Sequence, residues 1–160
     1  MDDTDGDFET LAPKASGPSL KARAIGFLSR REHSRRELAR KLAPHAPDSD
    51  ALERLLDDLE RENWLSDQRF VQSLIHRKSM RQGTLRIIQE LRQHGIADHY
   101  ISQAEHQLRD SETQRAQDVW EKKFGTPPDS PKDYARQYRF MMSRGFSPDC
   151  VRRILGDVPT

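Results

Sequence analysis

Leu91-Arg92-Gln93-His94-Gly95-Ile96 returns fifty residues later as Met141-Met142-Ser143-Arg144-Gly145-Phe146. In both stretches an apolar residue is followed four places on by a glycine and then by a second apolar residue. The match runs outward in both directions. Ahead, Ile101 falls on Val151 and Ala104 on Ile154. Behind, at an offset of 49, Leu91 falls on Leu42, Ile101 on Leu52, Ala104 on Leu55 and Leu108 on Leu59. A repeat of this length marks an array whose units are too small to bury their own apolar faces and so stack on one another. The sequence is therefore read as all-α: an elongated, curved array of three tandem three-helix repeats behind a disordered acidic N-terminal tail. The tail covers residues 1–19, the first repeat 20–65, the second 66–110 and the third 111–160. A long concave surface suits a macromolecular partner better than a small substrate.

From Leu20 onward the apolar residues recur at helical spacing, and no stretch alternates with the period of two that a half-buried strand requires. Leu52, Leu55, Leu56 and Leu59 share one helix face, as do Phe70, Val71, Leu74 and Ile75. Ser34-Arg35-Arg36-Glu37 and Ser111-Glu112-Thr113-Gln114 have the pattern of a capping box at a helix start. Ser130-Pro131 and Ser147-Pro148 each put a cap before a proline at the first helical position. Gly83, Gly95, Gly125, Gly145 and Gly156 stand where helices should end, because glycine tolerates the left-handed exit. These signals predict nine helices, over 20–30, 34–43, 49–62, 67–81, 85–94, 98–109, 112–124, 131–143 and 148–156. Ser111 and Leu65-Ser66 are the expected joints between trios.

Of the 160 residues, 34% are hydrophobic and 33% charged, a balance that fits a thin spine of contacts better than a thick core. The net charge of +1 divides into −4 over residues 1–19 (five acids against Lys14) and +5 over the rest. An acidic tail ahead of a basic body can solubilise that body or screen it. The single cysteine, Cys150, allows no internal disulfide. No apolar run reaches the ~20 residues that a membrane span needs, and the acidic start lacks the signature of a signal peptide. A cytoplasmic setting without membrane is expected. The six histidines include no pair at metal-binding spacing, and neither a phosphate-cradling loop nor a nucleophile elbow occurs. No metal, no cofactor and no catalysis are expected.

Four pieces of the chain, in order, resemble the RecX family of regulatory proteins. They are Leu28-Ser29-Arg30-Arg31-Glu32-His33-Ser34-Arg35-Arg36-Glu37-Leu38, then Trp64-Leu65-Ser66-Asp67-Gln68-Arg69-Phe70, then Gly83 through Leu91 to Gly95-Ile96, and finally Gly145-Phe146 with Val151 and Leu155. The resemblance spans about Leu20 to Gly156 and implies the family's array of three-helix repeats. It also implies a non-enzymatic modulator of the recombinase RecA. Such a protein lies in the groove of the RecA filament on single-stranded DNA, blocks filament growth, and damps recombination, ATP hydrolysis and repressor cleavage.

Two basic groups are the candidate contacts to such a partner: Arg30, Arg31, Arg35 and Arg36 at the first interhelical turn, and Arg77, Lys78 and Arg81 at the end of the fourth helix. Arg and Lys attract phosphates whatever the base sequence. Ordinary roles compete with this one: solvated helix faces with pairs such as Glu37 with Arg40 or Lys41, and cations at a negative helix end. Lys122 and Lys123 hold the corresponding place in the third repeat, so a stacked array predicts a basic stripe along one edge. Asp67 reads as a helix-start residue. Trp64, Trp120, Phe70 and Phe27 read as spine packing, as do Tyr134, Tyr138 and Met141. A helical DNA-binding protein acting without RecA is the alternative, with weak direct DNA contact in either case; a monomer is expected.

Overall fold

The computed structural model describes residues 17–160. The calls for residues 1–16 as part of a disordered tail lie outside that range. Within it, each apolar stripe forms a helix and no residue is in a strand. The elements run α1 (Leu20–Arg30), α2 (Arg35–Leu42), α3 (Ser49–Arg61), α4 (Asp67–Lys78), α5 (Thr84–Gln93), α6 (Asp98–Lys123), α7 (Pro131–Ser143) and α8 (Pro148–Leu155), with a 3-10 turn at Ala43–His45 after α2. Five serines act as N-caps: Ser19, Ser34, Ser66, Ser130 and Ser147 each accept a hydrogen bond from the backbone N–H three residues on.

Three separate apolar cores follow one another along the chain. The first joins Ala24, Leu38, Leu42, Leu52, Leu56, Leu59 and Leu65. The second joins residues of α4 and α5 to Ile96, Ile101, Ala104 and Leu108. The third joins Ala116 and Trp120 to Met141, Phe146, Cys150, Val151 and Leu155. Each core is drawn from one trio of helical segments, as the repeat requires.

The second and third trios share a helix. Nine helices are predicted and eight α-helices form, because no break occurs at Ser111. The buried stripe Ile101, Ala104, Leu108, Glu112, Ala116 and Trp120 keeps its spacing straight through the expected joint, and no proline or glycine stands there to interrupt it. The Ser111 hydroxyl bonds back to Leu108 O, as a serine inside a helix does. Gln114 donates to Asp118 instead of closing a capping box.

Two joints with one design connect the units. An acid on the first helical segment of the following unit accepts from the first N–H of the preceding unit's middle helix. Asp67 Oδ1 takes Arg35 N at 2.8 Å, and Glu112 Oε1 takes Thr84 N at 3.3 Å. An arginine on that middle helix then reaches a carbonyl of the next unit's glycine turn. Arg36 donates to Gln93 O at 3.2 Å and Arg86 donates to Ser143 O at 3.0 Å. Both bonds link residues 57 apart. A second arginine braces each joint: Arg69 on Glu32, and Arg115 on Gln82 O.

The second joint is tighter. Gly83 N donates to Arg144 O at 2.7 Å and Leu85 N to Gly145 O at 3.1 Å. Here Gly83 departs from its predicted role. It is the N-cap of α5, with φ −79°, and not a left-handed helix exit. Glycine is needed because a Cβ would collide with the backbone of Gly145 and Phe146. Gly95 and Gly145 do adopt the left-handed exit, with φ of 68° and 90°. Trp64 also departs from its assigned place in the spine: it is 43% exposed, while Trp120 is buried with its indole N–H on Gln137.

These contacts separate two glycines by mechanism. Gly26, in α1, has open space around its Cβ position. Gly26→Ala should stabilise the chain by about 0.5–1 kcal/mol, as a glycine replaced inside a helix does. Gly83→Ala should cost about 1–3 kcal/mol through overpacking. Urea denaturation followed by circular dichroism measures both.

Candidate functional site

The seven cations singled out in the sequence have different surroundings. Arg35 lies within 2.7–3.0 Å of Glu53, Asp57 and Glu60 on α3. Burial works against its charge, yet hydrogen bonds to Glu60, Glu53 and Asp57 hold its pKa above the ordinary arginine value. Reversing its charge would set a carboxylate against three others. Arg36 is spent on the first joint. Lys78 forms a two-pronged pair with Glu90, at 2.8 and 2.7 Å. Arg31 meets Glu37 at 2.7 Å, in place of the pair with Arg40 or Lys41 expected for that glutamate. Arg30, Arg77 and Arg81 are exposed and form no ion pair among the described residues.

Arg77 and Arg81 do come together with the third unit's lysines. They line an open groove of about 620 Å³ with Lys122, Lys123 and Arg144. Its apolar lining is Met80, Val119 and Phe140, and its one acid is Asp118. α4 and the turn after it supply one wall, the second half of α6 the next, and α7 with its C-cap the last. Because α6 runs unbroken past the second joint, the walls are held by one continuous helix. Arg30, Arg31, Arg35 and Arg36 do not line this groove.

The first joint carries the most perturbed electrostatics. Burial pushes the Asp67 carboxyl up, against the pull of the Arg35 N–H. The Ser34 hydroxyl accepts from Glu37 N, which leaves its hydrogen for His94 Nδ1 at 2.9 Å. Burial lowers the His94 pKa, and this arrangement suits the neutral ring. His33 is buried and likewise lowered, chiefly by desolvation. Cys150, which a helix start could have activated, is instead pushed up by burial.

The joint residues Arg69, Arg86, Glu112 and Arg115 were missed by the sequence reading. Arg115 uses all five of its N–H hydrogens, on Ser111 Oγ, Ser79 O, Gln82 O, Thr84 Oγ1 and Leu108 O. The offset of 50 that pairs Arg36 with Arg86 was the signal available for one of them. Among the described residues no group of three His, Cys, Asp or Glu could hold a metal ion, and no helix is long and apolar enough to cross a membrane.

Residues 21–59, 66–104 and 110–155 match the family models for the first, second and third three-helix domains of RecX. The chain belongs to the RecX family. A regulatory protein RecX of Ralstonia nicotianae is 55% identical over 137 residues, covering 86% of each chain. One from Chromobacterium violaceum is 45% identical over 141 residues, covering 88% of this chain and 91% of the relative. The crystal structure of RecX from Lactobacillus salivarius superposes with a TM-score of 0.71 at 21% identity, over 85% of this chain and 92% of that one. That likeness is one of fold.

The buried His33 and the half-buried His94 of this chain set a pH dependence. Their folded pKa values lie below the unfolded value, so folding favours the neutral rings. The stability this gives is present above about pH 6.5 and is lost as pH falls below it. Thermal unfolding at pH 7.5 and 5.5 should show a lower midpoint at the acidic pH. A His33→Gln/His94→Gln double variant should show a smaller drop.

Proposed function

We propose that this RecX chain is a non-enzymatic regulator of RecA. It binds the filament that RecA forms on single-stranded DNA and limits filament growth, recombination, ATP hydrolysis and coprotease activity, and so modulates DNA repair. One observation carries the reading: 55% identity across 86% of a regulatory protein RecX, with all three family domains present in order. The protein acts in the cytoplasm as a monomer and without a cofactor. The mechanism is steric. A row of units locked by two rigid joints fills the filament groove, spans adjacent protomers and excludes the incoming monomer or duplex.

Of the seven candidate cations, Arg30, Arg77 and Arg81, exposed and outside any ion pair among the described residues, attract the anionic filament, with the exposed Arg31, paired to Glu37, beside them. Lys78, Arg35 and Arg36 act through the fold that presents them. Attraction between exposed charges weakens as salt screens it, and it contributes more to the association rate than to the final affinity.

The test is RecA ATP hydrolysis on single-stranded DNA, titrated with this protein. Inhibition is expected, near stoichiometric if the chain coats the groove and well below that if it caps filament ends. An Arg77→Glu/Arg81→Glu variant with an unchanged circular-dichroism spectrum should inhibit several-fold less. Unaltered hydrolysis at excess wild-type protein would refute the reading. Tight DNA binding at physiological salt with RecA absent would favour the direct DNA-binding alternative.

A further inference from the structure

The basic groove of the second and third units has a chemistry that neither charge nor family membership describes. Several other cations of the fold are paired, among them Arg35 with three acids, Lys78 with Glu90, Arg69 with Glu32, Arg109 with Glu105, Arg136 with Asp133 and Arg152 with Asp149. Arg77, Arg81, Lys122, Lys123 and Arg144 form no ion pair among the described residues. They line the groove together with the apolar Met80, Val119 and Phe140. Met80 is 79% exposed, the most of the large apolar side chains that reach solvent.

Two classes of anionic macromolecule could answer these cations, and the apolar lining distinguishes them. A single-stranded nucleic acid gains affinity by stacking bases on open aromatic faces. Phe140 is the aromatic residue of the groove, and its ring is already engaged. Lys123 Nζ lies 5.2 Å and Arg144 Cζ 5.0 Å from its centroid. Phe124 meets it in a T-shaped contact at 5.4 Å. A base would have to displace two cations to reach it. Met80 and Val119 offer no aromatic face at all. What they offer is a soft apolar seat, and an unbranched thioether adapts its shape to an inserted side chain. An apolar anchor surrounded by charge pairs is how a protein segment docks.

We propose that this groove is a docking site for an acidic protein segment, in which one large apolar side chain seats on Met80 and Val119 while flanking carboxylates meet Arg77, Arg81, Lys122 and the cations over Phe140. The partner is a protein and not the nucleic-acid strand. The inference rests on the groove alone, and its test contains no RecA, so the two readings can fail separately.

The full chain, labelled with ¹³C at its methionine methyls, carries one such reporter in the groove, Met80; Met141 is fully buried. The first probe is a short synthetic peptide of aspartates and glutamates around a single phenylalanine. The second is the same peptide with alanine for phenylalanine, and the third is an oligothymidylate of equal charge. The phenylalanine peptide should shift the Met80 methyl and bind about tenfold tighter than either other probe. An Arg81→Glu/Lys122→Glu variant should keep the Met141 signal in place and lose the peptide response. An unmoved Met80 methyl would overturn the proposal. So would an oligothymidylate that binds as tightly as the peptide, or an alanine peptide that matches the phenylalanine one.

Discussion

A carboxylate that reaches from one three-helix unit to the first N–H of the middle helix of the unit before it is the contact on which this structure depends. Asp67 makes it at the first joint and Glu112 at the second. The early N–H groups of a helix have no partner within the helix, so an acid placed there satisfies a donor and meets the positive end of the dipole. Each joint adds an arginine on the carbonyl ahead of a left-handed glycine. Apolar burial holds each unit together, while hydrogen bonds to otherwise orphaned backbone groups align one unit with the next. Partners of this kind are directional, so they set an orientation that non-directional apolar contact does not.

The joints share a plan and differ in stiffness. The second adds backbone-to-backbone bonds, the close approach of Gly83 to Gly145, the five-fold clasp of Arg115, and a helix common to both units. Glu112 Oε1 also takes Ser147 N, so one oxygen links α5, α6 and the cap of α8. The first joint relies on side chains: Ser34 on His94, Arg36 on Gln93 O and Arg69 on Glu32. The second and third units therefore behave as one body, and the groove between them has fixed walls. In the third unit, Arg136 stands fifty residues beyond Arg86 and makes no such joint among the described residues. It turns back to Asp133 and lies over Phe124.

In the function proposed above, shape and surface carry the action rather than a chemical centre. In that proposal the cations offered to a partner are those the fold has not already consumed. By that criterion Arg35 and Lys78 are structural charges in spite of their place in a basic run, whereas Arg77 and Arg81 are presented to solvent beside two lysines from the next unit. A charged residue in a repeat serves either the joint or the surface, and its neighbours in space decide which.

The amino-acid sequence by itself determined the helices, most of their caps and the number of units. Those features are local: Ser130-Pro131, Ser147-Pro148 and the stripe of Leu52, Leu56 and Leu59 each act within a few residues of chain. It also set the period of fifty, because Gly95 and Gly145 must both leave a helix in the left-handed region. Tertiary structure alone decided the rest. Ser111-Glu112-Thr113-Gln114 has the local pattern of a helix start, yet burying Leu108, Ala116 and Trp120 on one continuous face outweighs a cap. Gly83 is glycine because of a backbone that passes sixty-two residues later in the chain. Glu112 is buried because two N–H groups from different units converge on it. The groove draws its lining from α4, α6 and α7 and their ends, and no window of sequence contains all of them.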